Sequence, residues 1–164
     1  MATDQAGAGV DYVTDLSESL GLLQTFEDTG MTPLDEHPGL SLHGYINAGP
    51  VTLLAESVRF LDEFDPSVLD WNGQGAQPSA FHAEAGYAAE VSGRPWVFSV
   101  AYGGTREAVA LALPESRLSL AAICSLTDDF EAGLEFLVAS DYDTEDGGSG
   151  ADSEVISFLL RATF

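Results

Sequence analysis

The stretch GPVTLLAESVRFLDEF, residues 49–64, carries the strongest periodic signal in the chain. Val51, Leu54, Val58, Leu61 and Phe64 recur at helical spacing, and Pro50 takes a first-turn position after Gly49. The spacing predicts a helix over 50–64 that packs its apolar stripe on whatever the rest of the chain builds. Upstream, DLSESLGLLQTF (15–26) predicts a short N-terminal helix capped by Asp15, with Leu16, Leu20, Leu23 and Phe26 on one face. Residues 1–12, rich in Gly, Ala and Asp, read as a flexible arm ahead of a single globular domain, 13–164.

Most of the remainder carries strand signals. LSLHGYIN (40–47) alternates Leu40, Leu42, Gly44 and Ile46. In 79–93, Phe81, Ala83, Ala85, Tyr87, Ala89 and Val91 alternate without a break, although the alanines also permit a helix. The segment 117–126, RLSLAAICSL, is open in the same way. WVFSVAYGGTREAVALALP (96–114) reads as a hairpin turning at Gly103-Gly104. GLEFLVASDYD (133–143) and SEVISFLLRATF (153–164) read as two strands joined by an acidic, glycine-rich loop. The expected fold class is therefore α+β and β-rich. It is an antiparallel meander or a β-sandwich with one main packed helix (50–64) and a short N-terminal helix.

Charge is the most unusual feature of the composition. Among 164 residues, 27 are acidic and five basic, giving a formal net charge of −22. All five basic residues are arginines, at 59, 94, 106, 117 and 161. Scattered arginines cannot neutralise a phosphate backbone, so nucleic-acid binding is excluded. Contact with an acidic membrane surface is disfavoured for the same reason, and no apolar run approaches a helical membrane span. Self-repulsion on this scale is relieved in molar salt, where the Debye length falls to about 3 Å. The acidic, lysine-free composition thus points to a salt-loving source, the alternative being an acidic protein of a GC-rich bacterium or phage, where arginine also replaces lysine. The lone Cys124 forms no intrachain disulfide, and the N-terminus lacks a secretory pattern, so synthesis in the cytoplasm is expected.

The fourteen residues DYDTEDGGSGADSE (141–154) hold the one candidate metal set: Asp141, Asp143, Glu145, Asp146, Asp152 and Glu154. Neither register on the EF-hand calcium template is clean. Starting at Asp143 puts Gly147 at position 5, and starting at Asp141 puts Asp146 at the glycine position. Diffuse association of calcium or another cation fits better than a specific site, and no other cofactor is expected. His82 and Glu84 share one face if 79–93 is a strand, but no ligand spacing accompanies them or His37 and His43. Cys124 has apolar neighbours, as expected of an inert buried thiol. Acid pairs such as Asp62/Glu63 and Asp128/Asp129 carry no information in so acidic a chain. Trp71, in a loop, is a candidate partner contact if exposed.

No catalytic constellation is present, and no enzymatic activity is expected. The composition and layout point to a non-enzymatic structural or assembly protein, most concretely a virion component of a haloarchaeal tailed virus (tail, neck or capsid decoration). Such a protein would be made in the cytoplasm and would self-associate or bind other structural proteins. The alternative is a cytoplasmic binding or regulatory module with a small ligand or protein partner.

Overall fold

The computed structural model describes residues 4–14 and 36–163. Eight long strands form one antiparallel sheet: β1 (Gln5–Val13), β2 (Gly39–Ala48), β3 (Val51–Phe60), β6 (Ser79–Val91), β7 (Arg94–Arg106), β8 (Ser116–Ser125), β9 (Phe130–Ser140) and β10 (Asp152–Ala162). Two short strands, β4 (Asp70–Trp71) and β5 (Gln74–Gly75), make a separate small hairpin. The order in the large sheet is β1-β2-β3-β6-β7-β8-β9-β10, a meander in which each strand pairs with the next long one. Among the described residues β1 and β10 are open edges.

The main helix predicted over 50–64 is absent. Val51–Phe60 is β3, paired on both sides, and the chain leaves the strand before Phe64. The helical reading followed every third or fourth apolar residue, whereas the strand presents Val51, Leu53 and Ala55 to one face and Leu54 and Val58 to the other. There is one large sheet rather than a sandwich, so the β-sandwich expectation also falls. The short helix expected over 15–26 lies outside the described residues. Gln5–Val13, expected within a flexible arm, is in register with β2. The segments 79–93 and 117–126 resolve as strands despite their alanines. The turn expected at Gly103-Gly104 does not form there, because β7 runs through both glycines to Arg106. β9 and β10 do pair antiparallel on either side of the acidic loop.

The two ends of the sheet differ. At one end the connections are tight. Ala48 and Val51 are joined by Gly49-Pro50, Val91 and Arg94 by Ser92-Gly93, and β8 and β9 by Leu126–Asp129. Ser92 and Gly93 both have positive φ (55° and 74°), as a two-residue primed turn requires. At the opposite end lie the long connections: 61–78, 107–115 and 141–151.

The buried core sits at this long-loop end, not between layers. Phe60, Phe64, Leu69 and Ala76 form one cluster, with the His37 ring stacked on Phe64 at 3.9 Å between centroids. Tyr142 is also buried, and its ring meets Trp71 edge-on at 5.4 Å. Its hydroxyl lies 2.6 Å from Thr105 Oγ1 and accepts from the Ala108 N–H at 3.3 Å. Asn72 donates to Asp146 at 2.8 Å. These contacts lock the three long connections to one another.

The strands themselves are bare on both faces. Within the long strands, Ala101, Cys124 and the terminal Phe60 are the fully buried apolar residues. Large side chains such as Val10 (68% exposed), Ile156 (63%) and Phe158 (85%) stand open. The accessible area is 10780 Å², against about 7,800 Å² for a compact globular chain of this mass. Among the described residues no second layer covers the sheet.

Candidate functional site

The site of interest is the sheet's pair of unlike faces, each read off the strand register. One rung crosses all eight strands through Ala6, Ile46, Leu53, Ala85, Val100, Leu120, Phe136 and Ile156. Every member is apolar. The neighbouring rung on the opposite face runs Gln5, Asn47, Thr52, Gly86, Ser99, Ala121, Glu135, Ser157. Every member there is polar or small. A displacement of one residue along any strand exchanges the two environments.

The apolar face keeps charge to its margins. Its charged residues are Arg59, Arg94, Arg106, Asp152 and Glu154, all within three residues of a strand end. Apart from Phe136 within the rung, its aromatics fall in two groups on either side of the rung. Tyr12, Phe81 and Tyr102 lie toward the loop end, and Tyr87, Trp96, Phe98, Phe130 and Phe158 toward the turn end. Trp96 and Phe98 stack at 5.6 Å between centroids.

The polar face carries more charge, Asp11, Glu56, Glu84, Glu90, Glu131 and Glu135 against Arg117 and Arg161, and of these Glu56, Glu84 and Glu135 stand in strand interiors. His43 and His82 join them. His43 Nδ1 lies 3.5 Å from Asp11, His82 Nε2 is 3.8 Å from Glu84, and Arg161 is 3.5 Å from Glu131. All three pairs are partly solvated and hold geometry more than energy. The His43 ring lies over Gly9, where an added Cβ would come 2.5 Å from its Nε2, and the Tyr45 ring covers Gly7 in the same way. These glycines let rings lie flat across the neighbouring strand.

The six predicted cation ligands do not act together. Asp141 accepts from Ser149 Oγ (2.6 Å), Ser149 N–H (2.7 Å) and Tyr142 N–H (2.9 Å). These donors, the Ser149 hydroxyl first, hold its carboxyl below the ordinary value. Asp146 accepts from Asn72, while Asp143 and Glu145 flank and enter a short 3-10 turn, Thr144–Asp146. Asp152 and Glu154 begin β10, on the apolar-face side. Among the described residues no three His, Cys, Asp or Glu side chains converge as a metal site. His37 is buried in the loop core, away from His43 and His82, and Cys124 is buried. Trp71 is half-buried against Tyr142.

Fold and faces together define an all-β antiparallel meander with one apolar and one polar surface. Comparison places bacterial proteins beside it. A "UPF0422 protein" of Coxiella burnetii (strain RSA 493 / Nine Mile phase I) is 28% identical over 128 residues, covering 78% of this chain and 28% of that protein. One from Legionella pneumophila (strain Paris) is 28% identical over 155 residues, 87% of this chain and 29% of its own length. Another, from Legionella pneumophila (strain Lens), is 34% identical over 110 residues, 67% of this chain and 21% of its own length. The chain thus spans less than a third of each of these relatives. No family model and no solved structure matches. Bacterial relatives overturn the expectation of a viral, haloarchaeal source. Among the described residues the acids lie mainly on the polar face and in the long loops.

Proposed function

We propose that this chain forms part of the wall of a membrane-spanning β-barrel, with the apolar face against lipid and the polar face lining an aqueous interior. The apolar rung through eight strands, on a face that no other layer among the described residues covers, carries this reading. Water would penalise that surface heavily, since each large side chain gains about 1.5–3 kcal/mol from leaving water. A bilayer removes the penalty while leaving the strands' backbone paired within the sheet.

Dimensions and ends support the same reading. A ten-residue strand rises about 33 Å, and at a tilt of about 40° it covers about 25 Å, the height of a barrel's apolar band. The apolar residues shift from Ala6–Tyr12 on β1 to Ile156–Ala162 on β10, as tilted strands require. Tight turns at one end, long loops at the other and aromatics flanking a mainly aliphatic middle follow the general pattern of such barrels. No described helix is long and apolar enough to cross a membrane, which leaves strand crossing open.

The open edges β1 and β10 need partners for closure, either further strands of the same polypeptide or another copy. The relatives, several times longer than their matched segments, have length enough for further strands. The role is non-enzymatic: a barrier with a polar passage.

The test is refolding from denaturant in the presence of liposomes, followed by density flotation. The reading requires strand-rich protein that floats with lipid and resists extraction at alkaline pH. Protein that stays monodisperse in detergent-free buffer and never floats would overturn it.

A further inference from the structure

One rung of the polar face is unlike the others. It runs Gly9, His43, Glu56, His82, Gly103, Arg117, Ala139 and Ser153 across the eight strands. Acid and imidazole groups occupy β2, β3 and β6, Arg117 stands on β8, and Gly103 leaves the space between them without a side chain. With strands about 4.8 Å apart, Glu56 and Arg117 are about 14 Å apart across this gap. A cleft of about 320 Å³ occupies it, with Glu56, His82, Gly103 and Arg117 among its walls.

The cleft has a second wall. Leu113 and Pro114, from the connection 107–115, line it together with the strand residues. Thr105 fixes this position. Its hydroxyl bonds the Pro114 carbonyl at 2.8 Å, and its N–H donates to the Glu115 carbonyl at 2.9 Å. A second cleft of about 580 Å³ begins beyond Arg117, toward the acidic loop, and Leu113, Pro114 and Arg117 line both. Arg117 is therefore the cationic group at the junction of the two spaces.

Among the described residues Arg117 makes no ion pair, whereas Arg161 on the same face is bridged to Glu131. Asp141 and Asp152 line the second cleft with Arg117, and Asp141 already accepts three hydrogen bonds. An unpaired guanidinium facing a cleft presents a planar fork of donors suited to a carboxylate. Leu113 and Pro114 offer apolar contact to the body of such a molecule.

We infer that the cleft over Gly103 is a binding subsite for small organic monocarboxylates, with Arg117 holding the carboxylate and Leu113-Pro114 covering the carbon skeleton. Glu56 across the gap disfavours dianions. This deepens the proposed function, since it rests on the polar face being the aqueous side.

The test uses the full chain folded in detergent micelles and 4-fluorobenzoate as probe, read by ¹⁹F NMR titration. Binding is saturable and weakens at least tenfold in Arg117→Gln. It stays within twofold in Arg161→Gln, and the neutral 4-fluorobenzamide binds at least tenfold more weakly than the acid. Far-UV circular dichroism of each variant checks that the strands persist. Absence of saturable binding, equal binding of acid and amide, or equal loss in both arginine variants overturns the inference. Flotation with liposomes without probe binding defeats the subsite alone. Probe binding through Arg117 in a protein that never floats defeats the membrane reading and leaves the subsite standing.

Discussion

Phe81 and Gly104 face one another across β6 and β7, and the Phe81 ring fills the space that a side chain at 104 would need. A Cβ added to Gly104 would lie 2.7 Å from Phe81 Cε1 and 3.2 Å from the Glu115 carbonyl oxygen. The ring covers the bare backbone on the apolar face just where the 107–115 connection begins. Replacing Gly104 with valine should displace the ring and cost about 1–3 kcal/mol, the usual range for overpacking. Chemical denaturation of the micelle-folded protein measures it, and Phe81→Ala combined with Gly104→Val should recover part of the loss.

Charge placed on the two faces should have opposite consequences. Leu120→Arg puts a guanidinium in the middle of the apolar rung and should destabilise the bilayer-folded form by about 2–4 kcal/mol. Ser99→Arg, on the adjacent polar rung, should change stability by less than about 1 kcal/mol. Unfolding titrations in liposomes compare the two.

Tyr142 ties the acidic loop to the 107–115 connection. Tyr142→Phe leaves the buried Ala108 N–H without its acceptor and should cost about 1–3 kcal/mol locally. Hydrogen exchange should accelerate at 107–115 and 141–151, with little change in the strands toward the turn end.

The pH response of the acidic loop follows from Asp141. Its carboxyl is held below its ordinary value in the folded loop by the Ser149 hydroxyl, then by the Ser149 and Tyr142 N–H groups. Stability from these bonds is fully present above the ordinary carboxylate value and is lost as pH falls through the lowered folded value. Amide exchange at Ser149 and Tyr142 should therefore quicken on acidification. Asp141→Asn should remove that pH dependence.

The loop core has a tight backbone approach at Gly75. A Cβ there would collide with the Phe64 carbonyl oxygen. Gly75→Ala should loosen the β4-β5 hairpin and the Phe60–Phe64–Leu69 cluster, raising protease sensitivity within 61–78 while the long strands stay protected.

Some of this molecule was legible in its residues and some was not. Alternation at Leu40–Ile46 and Phe81–Val91 is plain, and those strands were expected or left open between strand and helix. In 51–60 both faces carry leucine or valine, because Leu54 and Val58 sit on the polar face, and a helical period arises by coincidence. The clean rungs appear only when the register is known, since each strand contributes a single residue to them. Membrane contact was set aside because no long apolar run exists. A tilted strand needs only four or five apolar residues, spaced by polar ones, and leaves no such run. Arg117 carried no signal at all: its distinction comes from Gly103 on the neighbouring strand and from Leu113 and Pro114, which line the same cleft.

The central claim is that alternate residues of one strand meet lipid and water. Spin labels introduced singly along β8, at 117 to 122 in a Cys124→Ala background reconstituted in liposomes, test it most directly. Labels at 118, 120 and 122 should be accessible to oxygen and shielded from a water-soluble nickel reagent, and labels at 117, 119 and 121 the reverse. Equal access of both reagents along the strand, or the same preference at odd and even positions, would contradict the account.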